Sequence, residues 1–137
     1  MRSVIGSWGL CQWWGEDNRL IHPDDYDRLQ QLVTPGKVCQ CVGEDAGYLV
    51  LRYKSGRYRV NPSLFQSVPA PAKSFGESVS LKKGGQIISA RICDIYWHFK
   101  RDQAYFFVCV NDKRLKKRYW RDDFLNGAAS PIQDGSQ

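Results

Sequence analysis

The chain has one methionine and two histidines in 137 residues, and no apolar run approaches the ~18 residues that a membrane-spanning helix needs. So little histidine narrows the enzyme chemistry open to it, because an activated nucleophile needs a base within hydrogen-bond reach. Cys93 or Cys109 with His98 is the sole pairing on offer. Cys93 and His98 lie five residues apart on one expected strand and so point to opposite faces; Cys109 sits in an apolar run. The chain therefore reads as non-catalytic. It also lacks a C-x-x-C knuckle. Cys39-Gln40-Cys41 sets two thiols on one face of a strand, but a structural zinc site wants a second pair, so neither a metal nor another cofactor is expected. The five cysteines are odd in number, and most fall inside apolar strand-like runs, which suits reduced, buried thiols in a cytoplasmic protein. Gly, Ser and Gln interrupt the first residues, MRSVIGSWGLCQWWGED, leaving no apolar signal core. A soluble protein without a membrane partner is expected.

What the chain does have is aromatic and basic residues gathered in one stretch. Residues 82–121 carry eleven basic and three acidic side chains, +8 of charge in a protein whose net is +6. Within it, Ala90–Phe99 (ARICDIYWHF) is β-branched and aromatic, as strands are. Ala104–Val110 (AYFFVCV) is almost wholly apolar, like a strand covered on both faces. Asn111-Asp112-Lys113 is a turn, since Asn and Asp tolerate left-handed backbone. Leu115–Trp120 (LKKRYW) returns as a third strand, and Asp122–Leu125 makes a helical turn.

Earlier in the chain, Pro23–Val33 is the one good helix. Pro23 opens it, Asp24 and Asp25 complement its dipole, Tyr26, Leu29, Leu32 and Val33 form its apolar face, and Thr34-Pro35-Gly36 ends it. His22, just before it, reads as a cap or packing residue rather than a base. Trp8, Trp13 and Trp14 anchor an N-terminal strand or irregular segment. Then come strands at Lys37–Val42, Tyr48–Tyr53 and Arg57–Val60, and a helical turn from Asn61 to Phe65. YLVLRY-KSG-RYRV-NPSLF and YFFVCV-NDK-RLKKRYW-RDDFL share one plan: an apolar strand opening on Tyr, a turn, a basic-aromatic strand and a helical turn. The second copy is about three residues longer between turn and helix. This reads as an internal duplication of a small β unit. Matching the copies puts Val60 against Trp120, which would make that tryptophan core.

The second unit runs GESV, ARICDI, an apolar strand, VNDK, a closing strand and a DDF turn. It resembles SH3-like barrels of the Tudor and KOW kind, and GKV through SLF looks like a shortened version. IHPDD, YLVLRY, IYWHF and KKRYW together resemble an uncharacterised bacterial domain family. The resemblance implies a mainly β fold: two tandem SH3-like small barrels, the second larger, with one N-terminal α-helix. The parts are a Trp-rich segment and helix packing on the barrels (1–35), the first unit (36–68), a Pro/Ala linker (69–75), the second unit (76–126) and a disordered tail (127–137).

Barrels of this kind bind on loops and aromatic-lined surfaces. That implies ligand contacts at Tyr96, Trp97, Phe99, Tyr105, Tyr119 and Trp120, with alternation leaving open which set faces out. The first expectation is a binding module for a protein or peptide. The alternative is single-stranded DNA or RNA, with phosphate contacts from Lys100, Arg101, Lys113, Arg114, Lys116, Lys117, Arg118 and Arg121 and bases stacked on exposed rings. A homo-oligomer that hides the same aromatics is a further partner class.

Overall fold

The computed structural model describes residues 4–13, 18–32 and 36–125. Trp14, the helix end at Val33–Pro35 and the tail expected at 127–137 lie outside the described residues. The rest is mainly β: two antiparallel sheets and one α-helix. Among the described residues, no helix is long and apolar enough to cross a membrane.

Two compact units divide the chain. The first holds residues 1–71 and 96–103; the second holds 72–95 and 104–137. The first is built on β1 (Trp8–Cys11), β2 (Val38–Asp45), β3 (Tyr48–Tyr53), β4 (Gly56–Val60) and β5 (Phe65–Val68), in the order β4-β3-β2-β1-β5. The N-terminal strand is thus interior, paired with β2 on one side and β5 on the other. Leu10 and Cys11 are fully buried. Gly9 is required there, because a Cβ would stand 2.5 Å from the Gln66 carbonyl and 2.6 Å from the Phe65 ring. YLVLRY alternates as it should, with Leu49, Leu51 and Tyr53 inward.

The helix, α1 (Tyr26–Leu32), begins three residues later than Pro23. Asp25 occupies the cap position, its carbonyl accepting the Leu29 N–H at 3.0 Å. Its side chain does not sit at the helix mouth facing water but turns inward, 3% exposed. There it accepts the Arg59 backbone N–H (2.8 Å), the Arg59 Nε–H (2.9 Å) and the Arg28 guanidinium (2.7 Å). This carboxylate pins the helix to β4. Burial pushes its pKa up, but the Arg59 and Arg28 bonds outweigh burial and hold it at about 2. His22 does not cap this helix: its Nδ1 accepts the Asp24 N–H at 3.0 Å in the turn that precedes it.

The second sheet runs β6-β7-β8-β9, from β6 (Ser78–Lys83), β7 (Gln86–His98), β8 (Gln103–Val110) and β9 (Lys113–Arg114). Its core gathers Val79, Leu81, Ile92, Ile95, Phe106, Val108, Tyr119 and Phe124. The Leu125 N–H bonds the Ser80 carbonyl at 2.9 Å, tying the end of the unit to β6. The alternation along β7 breaks at Asp94–Ile95, where two neighbours are both fully buried.

Candidate functional site: a basic bulge beside an aromatic strand

The site starts from β8. Ala104, Phe106 and Val108 point inward, so Tyr105 and Phe107 share the opposite, half-exposed face. Asn111 and Asp112 form a two-residue turn with φ of 52° and 64°. Such a turn reverses the chain tightly and keeps the strand twist, so β9 starts in register: Val110 faces Lys113 and Cys109 faces Arg114.

The register then slips. The Leu115 N–H still bonds the Val108 carbonyl (2.9 Å), but the next pair formed is Phe106 with Tyr119, at 2.7 and 2.8 Å. Two steps along β8 are matched by four steps on the returning strand. The closing strand expected over Leu115–Trp120 is therefore only Lys113–Arg114, followed by a bulge at Lys116, Lys117 and Arg118 and a bridge at Tyr119. The reason is electrostatic. An unbroken register would set Lys117 opposite the fully buried Phe106, and desolvating an ammonium there without a partner is costly. Inserting two residues brings Tyr119 to that place instead. The corresponding hairpin of the first unit has no such insertion, its pairs running evenly from Tyr53–Gly56 to Leu49–Val60.

The bulge changes where the aromatics go. Tyr119, not Trp120, takes the place that Val60 holds in the first hairpin, and it is 5% exposed. Trp120 does not enter the core. It is half-exposed, with its backbone N–H donated to the Asp123 carboxylate at 2.8 Å. Its ring lies 5.5 Å from that of Tyr105. The Arg118 guanidinium sits over both, 5.2 Å from the Tyr105 ring centre and 5.4 Å from that of Trp120. The three centres make a nearly equilateral triangle. Each exposed cation–π contact gives about 0.5–1 kcal/mol. Together they offset much of the ~2 kcal/mol of rotamer freedom an ordered arginine gives up.

Among the described residues Arg118 makes no hydrogen bond and no ion pair, so all its N–H donors remain for a ligand. Arg114 differs. It lies 4.2 Å over the Phe107 ring and bonds the fully buried Asp94 carboxylate at 3.4 Å. Lys117 lies 5.2 Å from the Tyr119 ring centre. Lys113, Lys116 and Arg121 are exposed.

The residues expected to bind ligand thus separate. Tyr105, Arg118 and Trp120 come together, with Phe107 and Arg114 beside them. Trp97 and Tyr119 are buried, and burial takes both off the surface. Tyr96, Trp97, Phe99, Lys100 and Arg101 belong to the first unit. There Tyr96 lies under the Lys37 ammonium (5.0 Å), Phe99 is 60% exposed, and the Arg101 N–H caps His98 Nδ1 at 3.0 Å. Phe107 and Asp94 were not among the expected site residues. The i, i+2 spacing from Tyr105 could have found Phe107. Nothing local marks Asp94, whose partner comes from another strand.

None of the five cysteines forms a disulfide; Cys11, Cys39 and Cys41 are buried, Cys93 and Cys109 half-buried. Burial pushes the Cys41 thiol up, away from thiolate chemistry. Among the described residues no group of three or more His, Cys, Asp and Glu is placed to hold a metal ion. Comparison with curated proteins and with solved structures found no match. A family model matches residues 1–125, and the chain belongs to that family, a family of unknown function (DUF6960).

Proposed function

We propose that the chain is a non-catalytic binding module whose second unit recognises an acidic segment of a partner protein. The observation that carries this reading is the bulge. Six basic side chains between Lys113 and Arg121 are exposed, and one of them, Arg118, lies over two rings with no carboxylate against it among the described residues. A cationic surface of this density draws an anionic chain electrostatically, and guanidinium groups pair with carboxylates in plane.

The architecture we infer is a pair of SH3-like units in a cytoplasmic protein of bacterial type. Each has an antiparallel hairpin running into a 3-10 turn, Pro62–Leu64 in the first and Arg121–Asp123 in the second. Likeness of the two hairpins in sequence supports an internal duplication.

A second reading keeps the same cations and exchanges the ligand for RNA or single-stranded DNA. The run of basic residues favours it, since phosphate contacts dominate such binding. Stacking argues against it. A base would have to displace Arg118 from the Tyr105 and Trp120 rings and Arg114 from Phe107, while Tyr119 is buried and offers no platform.

Fluorescence anisotropy with labelled oligo-glutamate and labelled oligo-dT, each titrated across a salt series, tests both readings. Saturable oligo-glutamate binding that weakens with salt, and that oligo-dT competes poorly, is expected. Tighter oligo-dT binding, with a log–log salt slope near about −4 for six phosphate contacts, would replace the first reading by the second. No binding of either probe at low salt would remove both.

A further inference from the structure

The cations of the bulge are not equivalent, and the difference assigns them separate roles. Arg114 is engaged by a buried carboxylate and lies over a ring. Part of its hydrogen-bonding fork is already taken by Asp94. Lys116 and Lys117, in the bulge, are exposed, and an ammonium is a point charge that contributes attraction but little direction. Arg118 alone combines an exposed guanidinium, two aromatic contacts, and no hydrogen bond or ion pair among the described residues.

Resting on the acidic-segment reading above, we infer that Arg118 is the specificity-determining residue of this surface: it takes one side-chain carboxylate of the partner in the plane of its guanidinium, and the lysines around it supply attraction without selection. The reasoning is geometric. The guanidinium lies over the Tyr105 and Trp120 rings, and the N–H edge it keeps unpaired among the described residues is open to a ligand. That edge matches the two oxygens of a carboxylate in a bidentate pair. An ammonium at the same place keeps the charge but loses the fork and the flat stacking face. The ligand's remaining acidic groups meet the lysines in solvent, where ion pairs are weak and screened.

The experiment measures labelled oligo-glutamate binding by the full chain and by Arg118→Lys, Arg114→Lys and Lys117→Gln, with thermal melts of each. Arg118→Lys keeps the net charge. It is expected to weaken binding about tenfold with its melting temperature and salt slope unchanged. Lys117→Gln should weaken binding about twofold and flatten the salt slope. Arg114→Lys should lower the melting temperature more than it lowers affinity, since it disturbs the contact with Asp94. Arg118→Lys binding as well as the unaltered chain, or losing no more than Lys117→Gln, overturns the assignment while leaving the acidic-segment reading in place. A lowered melting temperature for Arg118→Lys would make the residue structural and overturn it too. If the unaltered chain fails to bind oligo-glutamate, both fall together.

Discussion

Replacing Asp25 by Asn removes the charge that holds helix α1 on β4, and the structure sets the size of the effect. The carboxylate is 3% exposed and accepts from the Arg59 backbone N–H, the Arg59 guanidinium and the Arg28 guanidinium at 2.7–2.9 Å. An amide has a single acceptor oxygen and turns an NH2 group toward donors, so at least one buried donor loses its partner. Breaking a fully buried ion pair costs about 3–5 kcal/mol. Here the arginine side chains are 27% and 54% exposed and regain hydration, which places the loss at about 2–3 kcal/mol. In urea this lowers the midpoint by about 1–2 M.

The same carboxylate makes stability depend on pH. It titrates at about 2 in the fold and near 3.8 in the unfolded chain. Above pH ~5 both forms are ionised and the full contribution is present. As pH falls, the unfolded chain takes up the proton first, and about 2 kcal/mol is lost by the time pH reaches the folded value. Roughly half of that is gone at pH 3. Urea unfolding followed by tryptophan fluorescence at pH 7, 4.5 and 3 should therefore show the gap between the two proteins closing as the solution is acidified. A gap that stays constant across that range, or an unchanged midpoint at pH 7, refutes the assignment of this carboxylate as the helix latch.

Two further outcomes follow from packing and register. Gly9→Ala should destabilise the first unit by about 2–3 kcal/mol, because the added methyl meets the Gln66 carbonyl at 2.5 Å on an interior strand of a five-stranded sheet; a melting temperature within a degree of the unaltered protein would contradict the interior position of β1. Deleting Lys116 and Lys117 together should leave the fold intact, since it restores an even ladder with Tyr119 still opposite Phe106, and should weaken oligo-glutamate binding more than tenfold. Circular dichroism and anisotropy read these separately, and loss of β structure would show that the bulge is needed for the fold.

What could be read from the chain differs by element, and the differences have physical causes. YLVLRY was legible because a strand with one face buried writes its period into the sequence; AYFFVCV was legible as a strand by its aromatic and β-branched residues, but the cover expected on both faces fails, since Tyr105 and Phe107 are half-exposed. The Asn111-Asp112 turn was legible because few residues accept left-handed backbone. The interior place of Trp8–Cys11 was not. Its partners are Val38–Gln40 and Phe65–Val68, and pairing over such separations leaves no mark on four residues. The inward turn of Asp25 was hidden for a related reason. An aspartate at a helix start has a sufficient local explanation in the dipole, so nothing in the local sequence calls for the distant Arg59.

The bulge was hidden by parity. An insertion of one residue flips every side chain that follows to the other face, and the hydrophobic pattern betrays it. An insertion of two leaves Leu115 and Tyr119 on the face they would have occupied in an even strand, so the alternation of LKKRYW stays intact while its length does not. Only a count against a second copy exposes it, and the spare residues between turn and helix were that count. Charge then decides where the extra length must go. A lysine cannot remain opposite Phe106, so the ladder yields at the three consecutive cations rather than at the apolar residues on either side. The feature that preserves the core is thereby the one that lifts Arg118 onto the rings of Tyr105 and Trp120.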